Sequence, residues 1–236
     1  MIWRLFQNWG TESMPALLMQ LAAIVVVMLT ALPFHEFAHA WMAKKMGDDT
    51  AAMHGRLTLD PFKHLDPMGA LMLLVVGFGF AKPVPVTPRK FRNRKKGMLF
   101  TALAGPAANL VLAVPFALLL SVALLILAIS PSDFTLLFFT FALHLLRLNI
   151  FLMIFNLIPF PPLDGFQIID FFLPARASLW VHNNRQIIRW IFFALVIFGV
   201  FTPIIGLVAN PISNLFEQGA LALARLAQPL AALLFA

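Results

Sequence analysis

The stretch MPALLMQLAAIVVVMLTALPFHEFAHA (residues 14–40) decides the fold. Met14 to Phe34 carries no charged residue and is long enough to cross a bilayer, which takes about 20 apolar residues. It then runs straight into His35-Glu36-Phe37-Ala38-His39. Two imidazoles and a carboxylate at the end of an apolar span are costly unless they face one another, a metal or water. The run is too long for a removed signal peptide, and it lacks the basic start and small-residue cleavage site of one.

Outward from this stretch, three more apolar runs are long enough to span: Gly97 to Ser132, Phe134 to Leu163 with His144 and Arg147 inside it, and Trp190 to Phe216. Met68 to Ala81, which holds Gly77 and Gly79, is too short to cross and suits a re-entrant segment. The tail from Ile212 to Ala236 contains Glu217, Arg225 and Pro229 and is left open between a span and a surface helix. RLTLD (56–60) and VPVT (84–87) alternate as short edge strands do. The expected class is therefore an all-α polytopic membrane protein with about four to six transmembrane helices. A re-entrant segment and a small β-sheet at the cytoplasmic membrane surface complete it. Residues 1–236 read as a single membrane-embedded domain, with a catalytic core over about 16–175 and C-terminal helices over about 186–236.

Composition agrees. The chain is 61% hydrophobic and 11% charged, which excludes an ordinary soluble globule and a disordered chain alike. There is no cysteine, so disulfides, thiolate catalysis and cysteine-ligated zinc are excluded. The net charge of +7 hints at nucleic acid, but its placement says otherwise. Eleven Lys and Arg lie between the first two spans and three between the third and fourth, against Arg4 alone on the other side. That bias puts both polar loops in the cytoplasm and a multi-pass protein in a bacterial cytoplasmic membrane. The run RKFRNRKK (89–96) abuts a span and reads as a lipid-touching topology anchor, with no nucleic-acid partner expected.

HExxH carries the chemistry. Residues four apart share a helix face, so His35 and His39 can bind one zinc while Glu36 serves as general base for the water it activates. A catalytic zinc takes a third protein ligand. The soluble pattern that continues to a third His is broken by Met42 and Lys45, and the other glutamates are Glu12 and Glu217. The candidates are Asp48, Asp49, Asp60, Asp66, Asp133, Asp164 and Asp170. Asp164 stands out because it ends NLIPFPPLDG (156–165), where Pro159, Pro161 and Pro162 break the helix and Gly165 permits a sharp turn. Unwound acidic backbone at membrane depth is tolerated where protein or a water cavity covers it.

HEFAH, GRLTLDPFKHLDPMG (55–69), GFGFAKPVPV (77–86), AGPAANL (104–110) and NLIPFPPLDG together resemble the site-2 proteases, intramembrane zinc metalloproteases. The resemblance runs over about residues 20–175, with the motifs in family order. It implies one zinc held by His35, His39 and Asp164, with Glu36 as catalytic base and Asn156 contacting substrate or oxyanion. It further implies a substrate-approaching loop at Gly77 and Gly79, and a transmembrane protein as substrate. No PDZ or CBS module is recognisable, so the chain looks like a minimal member. The rival reading is a membrane metal-ion transporter using the same His and Asp, which needs no Glu in the motif; no inverted repeat is visible. Bland readings go to Asn149 (helix packing), to Gly105, Ala107 and Ala108 (close helix contact) and to His64 (a structural turn or a partner of the site). Arg147 is an unexplained cost, and the oligomeric state is left open.

Overall fold

The computed structural model describes residues 14–76 and 79–235. The helices are α1 (Met14–Leu29), α2 (Ala31–Lys45), α3 (Thr50–Met53), α4 (Pro61–His64), α5 (Pro67–Val76), α6 (Arg94–Ile129), α7 (Asp133–Asn156), α8 (Asp164–Asp170), α9 (Ala175–Asn183), α10 (Arg185–Ile197) and α11 (Phe201–Phe235). Three stretches are long and apolar enough to cross a membrane: α1 with α2, α6, and α7. A fourth is added if α10 and α11, bent by 70° at their junction, count as one span. The described residues thus form a polytopic all-α membrane protein with three spans, short of the four to six expected, or four if the bent pair is counted.

Local chemistry explains the breaks. Pro33 lacks the N–H that would bond the Leu29 carbonyl, and the first span breaks at Thr30, whose hydroxyl donates to the Val26 carbonyl at 2.6 Å. It is longer than Met14–Phe34 because the helix continues through HEFAH to Lys45. The third span stops at Asn156, short of Leu163, since Pro159 and the prolines after it cannot continue a helix. Gly199 sits at φ 70° at the α10–α11 break, a backbone shape that favours glycine. The tail left open from Ile212 simply continues α11.

The bundle packs through small residues. Ala102, Gly105, Ala108, Ala113 and Ala123 of α6 are buried against α2 and α7, which lets backbones approach closely where apolar area gives no preference over lipid. Gly69 marks another close approach: a Cβ there would lie 2.0 Å from the Phe80 carbonyl oxygen. Residues 80 and 81, beyond the ten residues of α5, thus lie beside its first turn, Phe80 at Gly69 and Ala81 bridged to Leu65.

The expected β-sheet is absent among the described residues. A single antiparallel bridge, Leu65 to Ala81, stands in its place. The reason is chemical. Pro83, Pro85 and Pro88 have no N–H to give to a ladder, and Asp60, the last residue of RLTLD, accepts from the Phe62 amide at 3.0 Å and caps α4 instead. The extended segment 82–87 is held at its two ends. Lys82 donates its amide to the His64 carbonyl at 2.8 Å, and its own carbonyl accepts from Arg56. At the far end Thr87 donates its amide to the fully buried Asp48 carboxylate at 2.5 Å, and the Thr50 hydroxyl donates to the Thr87 hydroxyl at 3.0 Å. Asp48 follows directly on α2, its amide bonded to the Ala43 carbonyl at 2.9 Å. Between these ties the amides of Val84 and Val86 form no hydrogen bond among the described residues.

Candidate metal centre

His35 and His39 lie one turn apart on α2, both buried, with their rings at 83° and centroids 4.6 Å apart. Asp164 opens α8 beneath them. Its placement depends on Gly165, where a Cβ would sit 2.2 Å from the Leu157 carbonyl oxygen and 2.4 Å from that of Ile158. This glycine therefore serves close approach to the end of α7, and its φ is not positive. The side chain of Asp164 is 14% exposed, and its Oδ2 stands 3.2 Å from His35 Nε2 and 3.1 Å from His39 Nε2. The two Nε2 atoms are 2.9 Å apart.

Three observations show that this cluster fits a metal ion. First, both rings are bonded through Nδ1: His39 donates to the Thr101 carbonyl at 2.7 Å, and His35 to Asn109 Oδ1 at 3.2 Å. Each Nε2 is then a bare lone pair, aimed at the other and at a buried carboxylate oxygen that has no hydrogen-bond donor. Three such atoms repel unless a cation sits among them. Second, a tetrahedral zinc with bonds of about 2.0–2.1 Å separates its ligand atoms by about 3.3 Å, close to the spacings found. Third, α6 leaves room. A Cβ on Gly105 would lie 2.4 Å from His39 Nε2 and 2.5 Å from His35 Nε2, in the space the ion needs.

Glu36 is half-buried beside His35 and forms no ion pair among the described residues, though its charge is felt at His39 and Arg56. Asn156 is the last residue of α7, half-buried, with its Nδ2 donating to the Leu152 carbonyl at 2.9 Å. Gly77 lies outside the described residues; Gly79 is half-buried in the irregular return after α5. His64 is fully buried and bonds the Thr58 carbonyl at 2.8 Å, which makes it part of the loop rather than of the cluster.

Sequence reasoning missed one face of the site. Thr101, Gly105 and Asn109 are four apart and form a stripe on α6 facing the His35–His39 pair, which is also four apart. Pro106, inside this stretch of α6, has no N–H for the Ala102 carbonyl. Matching spacings in HEFAH and in TALAGPAAN (101–109) were the available signal. Asn149, expected to bond between helices, does so, with its Nδ2 donating to the Asn109 carbonyl at 2.8 Å. Arg147 has a partner 70 residues away: it grips Glu217 with two bonds of 2.7 and 2.9 Å.

Comparison with known proteins gives the same direction. The chain is 42% identical over 159 residues to a Bacillus subtilis protein provisionally named zinc metalloprotease YwhC, covering 66% of this chain and 72% of the relative. It is 31% identical over 183 residues to a Mycolicibacterium smegmatis protein provisionally named zinc metalloprotease Rip2, covering 74% of this chain and 65% of the relative. Against the protein of that name in Mycobacterium tuberculosis it is 32% identical over 152 residues, covering 62% and 56%. The chain thus spans less than two thirds of the length of the mycobacterial relatives. No family model matches it, and no solved structure does.

Proposed function

The chain belongs to the site-2 protease-like zinc metalloproteases, and from that premise we propose that it hydrolyses a peptide bond within or near a transmembrane segment of another protein. The observation that carries this is the convergence of His35 Nε2, His39 Nε2 and an Asp164 oxygen within 4.8 Å of one another at the end of a membrane span. A metal-ion transporter draws no support from relatives that are named proteases.

In this reading His35, His39 and Asp164 hold the ion. Zinc, when bound, supplies a Lewis acid and a water acidified toward neutrality. Glu36 would accept a proton from the water that attacks the scissile carbonyl carbon and pass it to the amide nitrogen as the C–N bond breaks. Asn156 is assigned to the substrate or the developing oxyanion, with a rotation that frees its Nδ2 from Leu152. A helical peptide bond is shielded, so the substrate must unwind, and each backbone group then unpaired in lipid costs several kcal/mol. The tied segment 82–87, with Val84 and Val86 amides unspent, offers replacement partners to an extended strand. Gly77 and Gly79 precede it and permit close backbone approach. The excess of Lys and Arg in the loops supports a site near the cytoplasmic face, with RKFRNRKK on anionic lipid.

The test is cleavage of a membrane-embedded substrate in vesicles. A substrate helix with a central Asn-Gly should be cut faster than a uniform Leu helix; equal rates would remove the unwinding step and the role of segment 82–87. In this cysteine-free chain, Asn93→Cys should be labelled from the cytoplasmic side alone, and labelling from the opposite side would invert the topology.

A further inference from the structure

We propose that Asn109 is a positioning residue of the metal centre, its side-chain oxygen fixing the tautomer and ring orientation of His35, with Asn149 holding Asn109 in turn. The inference rests on the assignment of His35 as a ligand and is independent of what is cleaved.

A neutral imidazole has one N–H, so a ring that offers Nε2 to a metal must carry its proton on Nδ1, and a buried N–H needs an acceptor. For His39 that acceptor is the Thr101 main chain, which any residue at 101 would supply. For His35 it is a side chain, Asn109 Oδ1 at 3.2 Å, so this half of the site depends on the identity of one residue. Asn109 is fully buried in the middle of an apolar 36-residue helix, where asparagine is a weak helix former and a polar cost. Its Nδ2 is buried without a partner, as is Oδ1 of the equally buried Asn149. Packing alone would be served better by an apolar side chain. What the amide does accomplish is the bond to His35, and Asn149 Nδ2 pins the same residue through its carbonyl at 2.8 Å. Three spans are joined by this chain of contacts, α2 through α6 to α7.

The experiment measures zinc affinity by chelator competition on the detergent-solubilised full chain, together with the cobalt(II) spectrum of the substituted site. Asn109→Leu, which cannot accept, should weaken zinc binding by about 10–100-fold, the usual cost of losing a partner behind a metal-bound imidazole, and shift the cobalt bands. Asn109→Asp keeps an acceptor and should stay within a few-fold of the wild type with an unshifted spectrum. Asn149→Leu should cause a smaller loss. Where the Leu variant does not fold, Asn109→Ala makes the same comparison with Asn109→Asp. Wild-type affinity in the Leu or Ala variant, or equal losses in it and in Asn109→Asp, would overturn the proposal. Full zinc retention by His35→Ala would instead overturn the ligand assignment beneath it.

Discussion

The α2–α6 contact and the α10–α11 pair are both apolar helices in the same bundle, yet they are specified in different ways. At α2–α6 the ring nitrogens of His35 and His39, the Thr101 carbonyl, the Asn109 oxygen and the missing side chain of Gly105 interlock over about two helical turns, roughly 12 Å. A methylene added there has nowhere to go. Along α10 and α11 one face packs through apolar side chains, with Phe192 and Ile205 each 1% exposed, while large side chains on the other face outward, with Phe198 83% and Leu207 78% exposed, and a polar tie to α7 is the Arg147–Glu217 pair. Many sequences of similar hydrophobicity would serve in the second region, and very few in the first. Fixed residues mark the chemistry; bulk apolarity marks only residence in lipid.

The sharpest attempt to break this contrast is Gly105→Ala. A methyl at 2.4–2.5 Å from both ligand nitrogens should lower zinc content to about a tenth or less and cleavage by roughly 10²-fold or more. Stoichiometric zinc by metal analysis in this variant would show that α6 is not tight against the site. Glu36→Gln should come next in effect and differ in kind: cleavage falls by about 10²-fold while zinc stays, because an amide keeps the shape but accepts no proton. Undiminished turnover would remove Glu36 as base. In the second region Glu217→Gln should cost about 0.6 kcal/mol, the average of polar contacts between membrane helices, read as a small drop in thermal midpoint with zinc unchanged. Loss of zinc there would mean that the two regions are coupled. The smallest effect is expected from Leu207→Ala, within about 0.5 kcal/mol, as at other positions away from packed contacts.

What was legible in the sequence follows the same divide. HEFAH shows itself because four-residue spacing is a local property of one helix, and NLIPFPPLDG because prolines announce where a helix must end. Asp164 emerged among seven aspartates from that break, and the structure sets it against both histidines. The α6 stripe stayed hidden since contacts across 62 and 74 residues depend on how two helices register, which periodicity does not carry. Glu217 could not be assigned to Arg147 for the same reason. The sheet was misread because alternation in VPVT looks like a strand, while the prolines that create the alternation remove its donors. The fourth span was drawn straight through Gly199, since a single glycine in an apolar run says nothing of the angle it permits.

The ties on segment 82–87 bear on where a cut falls. Asp48 and Arg56 join both ends of that segment to the loop that leaves α2, so the strand-like edge and the ligand-bearing helix form one piece. Bilayers differ in thickness by several ångströms, and helices tilt to match. A docking edge borne by its own mobile domain would slide against the metal with each such change. Here the two are tied together, so in the proposed function they would act as a fixed ruler: the scissile bond would be counted from the substrate's seat on the protein, not from the height of the lipid around it.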